Sequence, residues 1–261
     1  MKPKLSHSKV RAELTSRNVG LINTEHQEAI HRTKILLVGC GLGSQIAVLA
    51  ARVGFENFSL YDGDTVELHN LNRQAYEITD LGKNKALATK KKILQINPHA
   101  KVKAKRLFLR DQALINREVK EADIVVNMAD PDDTMYTING VAKENGKLVL
   151  FPLNFGYGAY VLALTPGSQT LEEIIGDKLH GDSFYGKLIE KTLPHYPELL
   201  NEDTMGIMQV YENVLRGEHV APQLGISAYM TAVLTVKAMI RWLGGYPMPT
   251  APKPIIFEPG K

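Results

Sequence analysis

Three glycines and two aspartates in the first quarter of the chain have the types and spacing of a phosphate-binding site. Gly39, Gly41 and Gly43 follow the apolar run KILLV. Glycines at such a turn let the backbone approach a phosphate, which then lies at the N-terminus of the following helix. Asp62 ends a second apolar run 23 residues after Gly39, where its carboxylate can accept hydrogen bonds from ribose hydroxyls. Asp64 is expected to contact the ribose or to cap the turn. These residues indicate nucleotide binding and leave the reaction open.

A second set of polar residues follows. The sequence reads DGDTVELHNLNRQ at 62–74, LGKNKA at 81–86 and INP at 96–98. Within it, Arg73 and Lys85 are basic, and Lys85 lies in the first turn of a predicted helix.

The order of these motifs resembles the ThiF/MoeB/HesA superfamily, the bacterial relatives of ubiquitin-activating enzymes. The resemblance covers roughly residues 17–135, about half of the chain. It implies an ATP-dependent adenylyltransferase, in which a carboxylate attacks the α-phosphate of ATP, an acyl-adenylate forms and pyrophosphate leaves. Such a protein must neutralise the triphosphate and the charge that develops on the leaving group.

The resemblance also implies roles for individual residues. Arg73 and Lys85 would bind the phosphates, and Asn70 would bind the phosphates or their metal. Asp130, at the end of a predicted strand, would bind Mg²⁺, for which a carboxylate oxygen is a suitable ligand. Arg17 matches an arginine that several members insert across a dimer interface toward the nucleotide. The resemblance therefore implies a homodimer with a catalytic contribution from Arg17.

The single cysteine, Cys40, limits which branch of the superfamily fits. Members that contain zinc carry two CxxC pairs, so no zinc is expected here. Members that form a thioester or persulfide use a cysteine in the second half of the chain, and none follows Cys40. We therefore expect that the adenylate is not passed to a cysteine of this chain.

Two other functions stay open at the level of the sequence. An NAD-dependent oxidoreductase uses the same glycine turn, and a non-catalytic partner subunit of an activating heterodimer uses the same fold as a scaffold. The presence of Asp62, Arg73, Lys85 and Asp130 argues against the second. The acid also stays open: a small ubiquitin-like or sulfur-carrier protein, a peptide, a tRNA-linked carboxylate and a small acid all fit.

Composition and charge argue against several other classes. Hydrophobic residues make up 44% and charged residues 23% of the 261 residues, as in ordinary globular proteins. Residues 1–130 carry 21 basic and 14 acidic side chains but lack the interleaved aromatic residues of single-strand binders. The lysine run at 90–92 is typical of a solvated helix face, so nucleic acid is not the expected partner. The N-terminus lacks the apolar segment of a secretory signal, and no apolar run is long enough for a membrane span, which predicts a cytoplasmic protein.

Strands and helices alternate in the part of the chain that carries these motifs. Hydrophobic patterning predicts strands at 34–38, 58–61, 101–106, 123–127 and 147–151, and helices at 42–53, 83–96, 111–119 and 133–145. This alternation predicts an α/β fold with a Rossmann-like, doubly wound and mostly parallel sheet. Beyond it we expect an antiparallel strand at 158–164, an irregular insertion at 165–222, a helix at 223–243 and a strand at 254–257.

The whole chain, residues 1–261, is expected to form a single adenylating domain, because no linker or repeat interrupts it. An N-terminal helical segment spans residues 1–33, and the nucleotide-binding core spans 34–152. Residues 153–261 are expected to form an extension on the substrate side, together with the C-terminal helix.

Overall fold

A seven-stranded mixed sheet, in the order β3-β2-β1-β4-β5-β6-β7, forms the centre of the protein. The structure, a computed structural model, describes residues 5–195, 209–210, 212–213, 216, 218 and 222–257. The strands are β1 (Lys34–Val38), β2 (Asn57–Tyr61), β3 (Lys101–Lys105), β4 (Ile124–Asn127), β5 (Leu148–Phe155), β6 (Gly158–Leu164) and β7 (Ile255–Phe257).

The strand order reverses between β1 and β4, which is where a doubly wound sheet binds its ligand. The five strands β3, β2, β1, β4 and β5 are parallel, and β1 pairs with β2 on one side and β4 on the other. The connections that follow β1 and β4 run to opposite sides of the sheet. A crevice therefore opens beyond the carboxyl ends of these two strands. The far edge is antiparallel, with β6 paired to β5 from Val149 to Phe155 and β7 paired with β6.

Helices cover both faces of the sheet. They are α1 (His7–Leu14), α2 (Thr24–Arg32), α3 (Leu42–Val53), α4 (Lys85–Ile96), α5 (Gln112–Glu121), α6 (Asp133–Glu144), α7 (Leu171–Ile175), α8 (Asp182–Thr192) and α9 (Gly225–Leu243). Side chains accept hydrogen bonds from first-turn amides at the start of several of them; Asn84 does so for α4 and Asp132 for α6. The helix that follows the glycine turn, α3, ends at Gly54, whose φ of 112° is left-handed.

Two apolar layers hold the helices against the sheet. Alternate residues of β1 contribute to each layer: Leu36 and Val38 to one, Ile35 and Leu37 to the other. The first layer includes residues of α5, α6, α7 and α8, and the second includes residues of α3, α4 and α9. All five parallel strands therefore end at one rim, between two helical layers.

The predicted elements are confirmed, with differences at their ends. The fifth strand extends to Phe155 rather than ending at 151, because it pairs with β6 through the hairpin at Gly156. All residues of β6 are buried, which explains why its sequence alternates weakly. The segment predicted as irregular contains α7 and α8, and much of the remainder of 165–222 lies outside the described residues. Within the described residues, no helix combines the length and apolar character needed to cross a bilayer.

Candidate active site

A cavity of about 460 Å³ lies at the carboxyl ends of the parallel strands, at the reversal of strand order. One group of lining residues comprises the glycine turn after β1, the end of β2, residues 73–74 and Lys85 of α4. A second group comprises residues 128–130 after β4, residues 151–154 of β5 and one face of α8. The volume is typical of a pocket for a small molecule.

The glycine turn fits its space only because side chains are missing. Gly39 has a φ of 91°, and a Cβ there would lie 2.7 Å from the carbonyl oxygen of Met128. Gly41 lines the cavity, whereas Gly43 faces the sheet, where a Cβ would lie 2.6 Å from Cδ2 of Leu37. The structure thus brings Gly39 and Gly41 to the cavity and leaves Gly43 to pack α3 against β1.

Asp62, at the end of β2, is hydrogen-bonded to the turn that follows β1. Its carboxylate accepts hydrogen bonds from the amides of Cys40, at 2.6 Å, and Asp64, at 2.8 Å. Burial raises the pKa of Asp62, and these two hydrogen bonds oppose that effect. Because the Gly39 and Cys40 amides donate to Tyr61 and Asp62, an anion at this turn would meet the first-turn amides of α3.

Lys85 and Asp64 form an ion pair at the cavity wall, with Nζ and Oδ2 3.1 Å apart. Asn84 positions the pair, because its carboxamide donates to the carbonyl oxygens of Asp62 and Asp64 and accepts from the amide of Leu87. One side chain therefore joins the end of β2 to the start of α4. This contact brings the predicted phosphate-binding lysine to the glycine turn.

Arg73 also lines the cavity. Its Nη1 donates to the carbonyl oxygen of His69 and to Oδ1 of Asn72, and its Nε donates to Oε1 of Gln223 at 2.5 Å. Burial lowers the pKa of Arg73. The guanidinium is thus held in place by neutral groups, and its charge stays available to an anionic ligand.

Gln74 has a buried acceptor without a partner among the described residues. Its side chain is largely buried, and Oε1 has no hydrogen-bond donor within the described part of the chain. The residue lines the cavity, with Nε2 3.2 Å from the position of a Cβ on Gly41. A buried carboxamide oxygen is costly to leave unpaired, so a ligand donor would stabilise it. The sequence analysis quoted Gln74 within a motif but gave it no role.

Acidic side chains also line the cavity. Asp130 is exposed and lines the cavity after β4, and Asp132 and Asp182 line it at the starts of α6 and α8. Within the described residues, no group of three or more histidine, cysteine, aspartate or glutamate side chains is arranged to hold a metal ion. A magnesium ion needs only one or two carboxylates when phosphate oxygens and water complete its shell.

Two predicted site residues lie away from the cavity. Asn70 is buried, and its Oδ1 accepts a hydrogen bond from the amide of Glu67, so it caps the 3-10 helix Leu68–Asn72. Arg17 is exposed in the 3-10 helix Ser16–Asn18. Neither side chain lines the cavity of the single chain.

The sequence analysis missed two groups of residues that line the cavity. Phe108 and Arg110, after β3, line the cavity together, with the guanidinium 5.1 Å from the ring centroid. The α8 residues Asp182, Tyr185, Gly186 and Ile189 also line it. Their spacing of three, four and seven is the only sequence signal for this second group, and it marks one face of a helix.

Comparison with known proteins agrees with this arrangement. The sequence matches the ThiF family over residues 15–259. It is 32% identical over 142 residues to the probable molybdopterin-synthase adenylyltransferase of Porphyra purpurea, covering 54% of this chain and 37% of that protein. It is 29% identical over 147 residues to the sulfur carrier protein ThiS adenylyltransferase of Escherichia coli K12, covering 56% of this chain and 58% of that protein. The chain thus spans about a third to three fifths of the length of these curated relatives.

Solved structures share the fold. PaaA superimposes with a TM-score of 0.69 at 20% identity, covering 99% of this chain and 82% of that one. Escherichia coli MccB, solved with ATP, superimposes with a TM-score of 0.62 at 21% identity, covering 86% of this chain and 59% of that one. The match to the family model confirms the superfamily that the motifs predicted. Because the family match extends over almost all of the sequence, the chain belongs to the ThiF family.

Proposed function

We propose that this chain activates a carboxylate by adenylation with ATP. One observation carries the proposal: the glycine turn, Asp62, Arg73 and Lys85 meet in one cavity at the reversal of strand order, and a second group of lining residues is left for a second reactant. An enzyme that joins an acid to a nucleotide needs to bind both.

The glycine turn and the residues Arg73, Gln74 and Lys85 have the groups needed to bind ATP. Because Gly39 has no side chain, its backbone packs against Met128 and leaves room for a phosphate beside the glycine turn. The first-turn amides of α3 can donate hydrogen bonds to that phosphate. Arg73 and Lys85 would neutralise the phosphate chain. The unpartnered Oε1 of Gln74 would accept a hydrogen bond from a hydroxyl or amino group of the nucleotide.

In the reaction, a carboxylate oxygen of the acid forms a bond to the α-phosphorus of ATP. The bond from that phosphorus to the bridging oxygen of the β-phosphate breaks, and pyrophosphate leaves with the bonding electrons. Arg73 and Lys85 stabilise the charge that grows on the leaving group, which is the main contribution a protein makes to phosphoryl-type transfer. Asp130, with phosphate oxygens and water, would hold the Mg²⁺ that shares this charge.

The names of the relatives support a class of acid, and the single cysteine bears on where the acceptor lies. The relatives are named for molybdopterin synthase and the sulfur carrier ThiS, so a protein or peptide C-terminus is the proposed class of acid, with a small acid as the alternative. Since no cysteine follows Cys40, the adenylate would be released to an acceptor outside this chain.

A homodimer is part of the proposal. Val19 and Leu21, next to the exposed Arg17, are 79% and 90% exposed, so a partner surface there would bury their apolar side chains. A second copy seated there would cover them and bring Arg17 toward a neighbouring site. Light scattering at micromolar concentration should then give about twice the chain mass of 28.9 kDa, and Arg17→Ala should lower activity more than Arg52→Ala.

Nucleotide titration tests the function without knowledge of the acid. Calorimetry should show that Mg-ATP binds more tightly than NAD, and that Arg73→Ala weakens ATP binding tenfold or more. Arg52→Ala, an exposed arginine on α3, is the matched control and should bind ATP like the unaltered protein. Candidate acids are then added to look for exchange of labelled pyrophosphate into ATP. Tighter binding of NAD would contradict the proposal.

A further inference from the structure

Gln223 connects the second half of the chain to the arginine that is proposed to bind phosphate. It precedes α9 and lines the cavity, and its side-chain Oε1 accepts a hydrogen bond from Nε of Arg73 at 2.5 Å. The two residues are 150 positions apart in the sequence. The contact therefore forms only because the start of α9 lies against the segment that carries Arg73.

Asn72 closes this contact into a ring of three residues. Its Oδ1 accepts a hydrogen bond from Nη1 of Arg73 at 2.8 Å, and its Nδ2 donates to the carbonyl oxygen of Gln223 at 3.0 Å. The start of α9 also packs closely on the same residue, because a Cβ on Gly225 would lie 2.6 Å from the carbonyl oxygen of Asn72. Gln223 is thus held through its backbone while its side chain holds the guanidinium.

The hydrogen bonds to Arg73 fix its guanidinium without neutralising it. Nε and Nη1 donate only to neutral acceptors, of which the third is the carbonyl oxygen of His69. Within the described part of the chain, Nη2 has no hydrogen-bond acceptor, so it is the donor left for a phosphate oxygen. An arginine side chain has many rotamers, and a guanidinium that is already held loses less conformational freedom when the ligand binds.

We propose that Gln223 is a positioning residue for Arg73: its neutral carboxamide oxygen orients the guanidinium toward the phosphates without offsetting its positive charge. This inference rests on the proposed adenylation with ATP. A glutamate at this position would retain the length and an acceptor, but its negative charge would pair with that of Arg73. Both properties of the amide therefore matter, because the acceptor orients the arginine and the lack of charge leaves the cation to ATP.

Two substitutions that are close to glutamine in size test these properties. Gln223→Met removes the acceptor, and Gln223→Glu retains an acceptor but adds a negative charge. By calorimetry, Gln223→Met should weaken Mg-ATP binding about threefold to tenfold, as expected for the loss of one hydrogen bond of ordinary net strength. Gln223→Glu should weaken it about tenfold or more, because the carboxylate also repels the triphosphate.

Two controls separate positioning from a purely structural role. Gln95→Glu makes the same change of charge on the exposed surface of α4, outside the residues that line the cavity, and should bind Mg-ATP like the unaltered protein. In an Arg73→Ala background, Gln223→Met should change Mg-ATP binding less than twofold, because the arginine that it positions is absent. A general loosening of the cavity would instead weaken binding equally in both backgrounds.

The results separate this inference from the adenylation on which it rests. If the unaltered protein binds Mg-ATP, three results would overturn the role of Gln223 and leave adenylation standing. These are binding by both Gln223 variants within twofold of Gln95→Glu, equal losses from Gln223→Met with and without Arg73, and unweakened binding by Gln223→Glu. If the unaltered protein does not bind Mg-ATP, adenylation fails and the role of Gln223 fails with it. If Gln223→Met does not fold, Gln223→Glu decides the outcome alone.

Discussion

The ammonium group of Lys85 lies 3.1 Å from Oδ2 of Asp64, so the cation at the glycine turn is paired with a carboxylate of the same chain. Lys85 is 12% exposed and Asp64 is 56% exposed. The carboxylate therefore reaches the lysine from the solvent side, and phosphate oxygens that arrive from the cavity can share or replace it. Lys85 is held in place before the nucleotide binds, which lowers the entropic cost of binding.

Loss of Lys85 should weaken ATP binding. Lys85→Ala removes a charged hydrogen-bond donor from the proposed phosphate site, and we expect a loss in affinity of roughly tenfold to a hundredfold. Lys91→Ala, on the exposed face of the same helix, is the control and should bind ATP normally. Calorimetry measures both. Equal affinities for the two variants would remove Lys85 from the phosphate site.

Two glycine substitutions should separate backbone strain from a clash. Gly39 and Gly82 both have positive φ, but only at Gly39 would a Cβ meet a backbone atom, the carbonyl oxygen of Met128 at 2.7 Å. Gly82→Ala should lower the free energy of unfolding by about 1–2 kcal/mol, from strain alone. Gly39→Ala should lower it by a further 1–3 kcal/mol or so, and should also weaken ATP binding. Urea unfolding measures the two losses of stability, and nucleotide titration measures ATP binding. Identical losses of stability in the two variants would contradict a clash between a Cβ at position 39 and Met128.

A low pH should weaken the hydrogen bonds between Glu56 and the helix α1. Burial alone would raise the pKa of Glu56, but hydrogen bonds from Arg11 and His7 outweigh it and hold the pKa below 4.5. A carboxyl group with a lowered pKa stabilises the fold above its unfolded pKa, and that contribution is lost as the pH falls through the folded value. Glu56→Gln should therefore cost about 1–3 kcal/mol at about pH 6.

The pH dependence of that cost provides the check. Urea unfolding at a series of pH values should show the difference between the unaltered protein and Glu56→Gln shrinking below pH 4.5. Glu13→Gln, on the exposed surface of α1, should have little effect at any pH. A difference that stays constant through the acid range would exclude a charged Glu56.

Cys40 should be chemically silent in the folded protein. Burial raises the pKa of its thiol well above the ordinary value, and the charge of Asp62 adds to this effect. The thiol is therefore protonated at neutral pH and a poor nucleophile. A disulfide reagent should label the native chain slowly and should label one thiol per chain in denaturant. Cys40→Ala should keep pyrophosphate exchange within threefold, and a thiol-labile substrate adduct on Cys40 would contradict this assignment.

The residues proposed to bind the nucleotide could be found in the sequence because they sit in short, local motifs. Gly39, Gly41 and Asp62 follow strands whose apolar runs are unmistakable, and Lys85 follows a helix cap. All four positions depend on secondary structure within a few residues. Parallel pairing of β1 and β2 then brings them together without further information.

The part of the cavity lined by β5 and α8 was not predictable by the same means. Phe151 of β5 packs edge to face on Phe184 of α8, and this contact between distant segments is not encoded in a local pattern. The role of Asn70 as a cap and the unpartnered oxygen of Gln74 depend on side-chain orientation, which spacing in the sequence cannot give. Sequence reasoning thus reached the residues with local roles and missed those whose neighbours are distant in the chain.

Residues from Val38 to Gln223 line the cavity, so it forms only when the strands and helices that carry them are folded together. A compound that binds in the cavity should therefore stabilise these elements against unfolding. A ligand at a hundred times its dissociation constant should add about 2.7 kcal/mol to the free energy of unfolding. Thermal denaturation in the presence of Mg-ATP and a library of acids can thus rank substrates before any reaction has been detected.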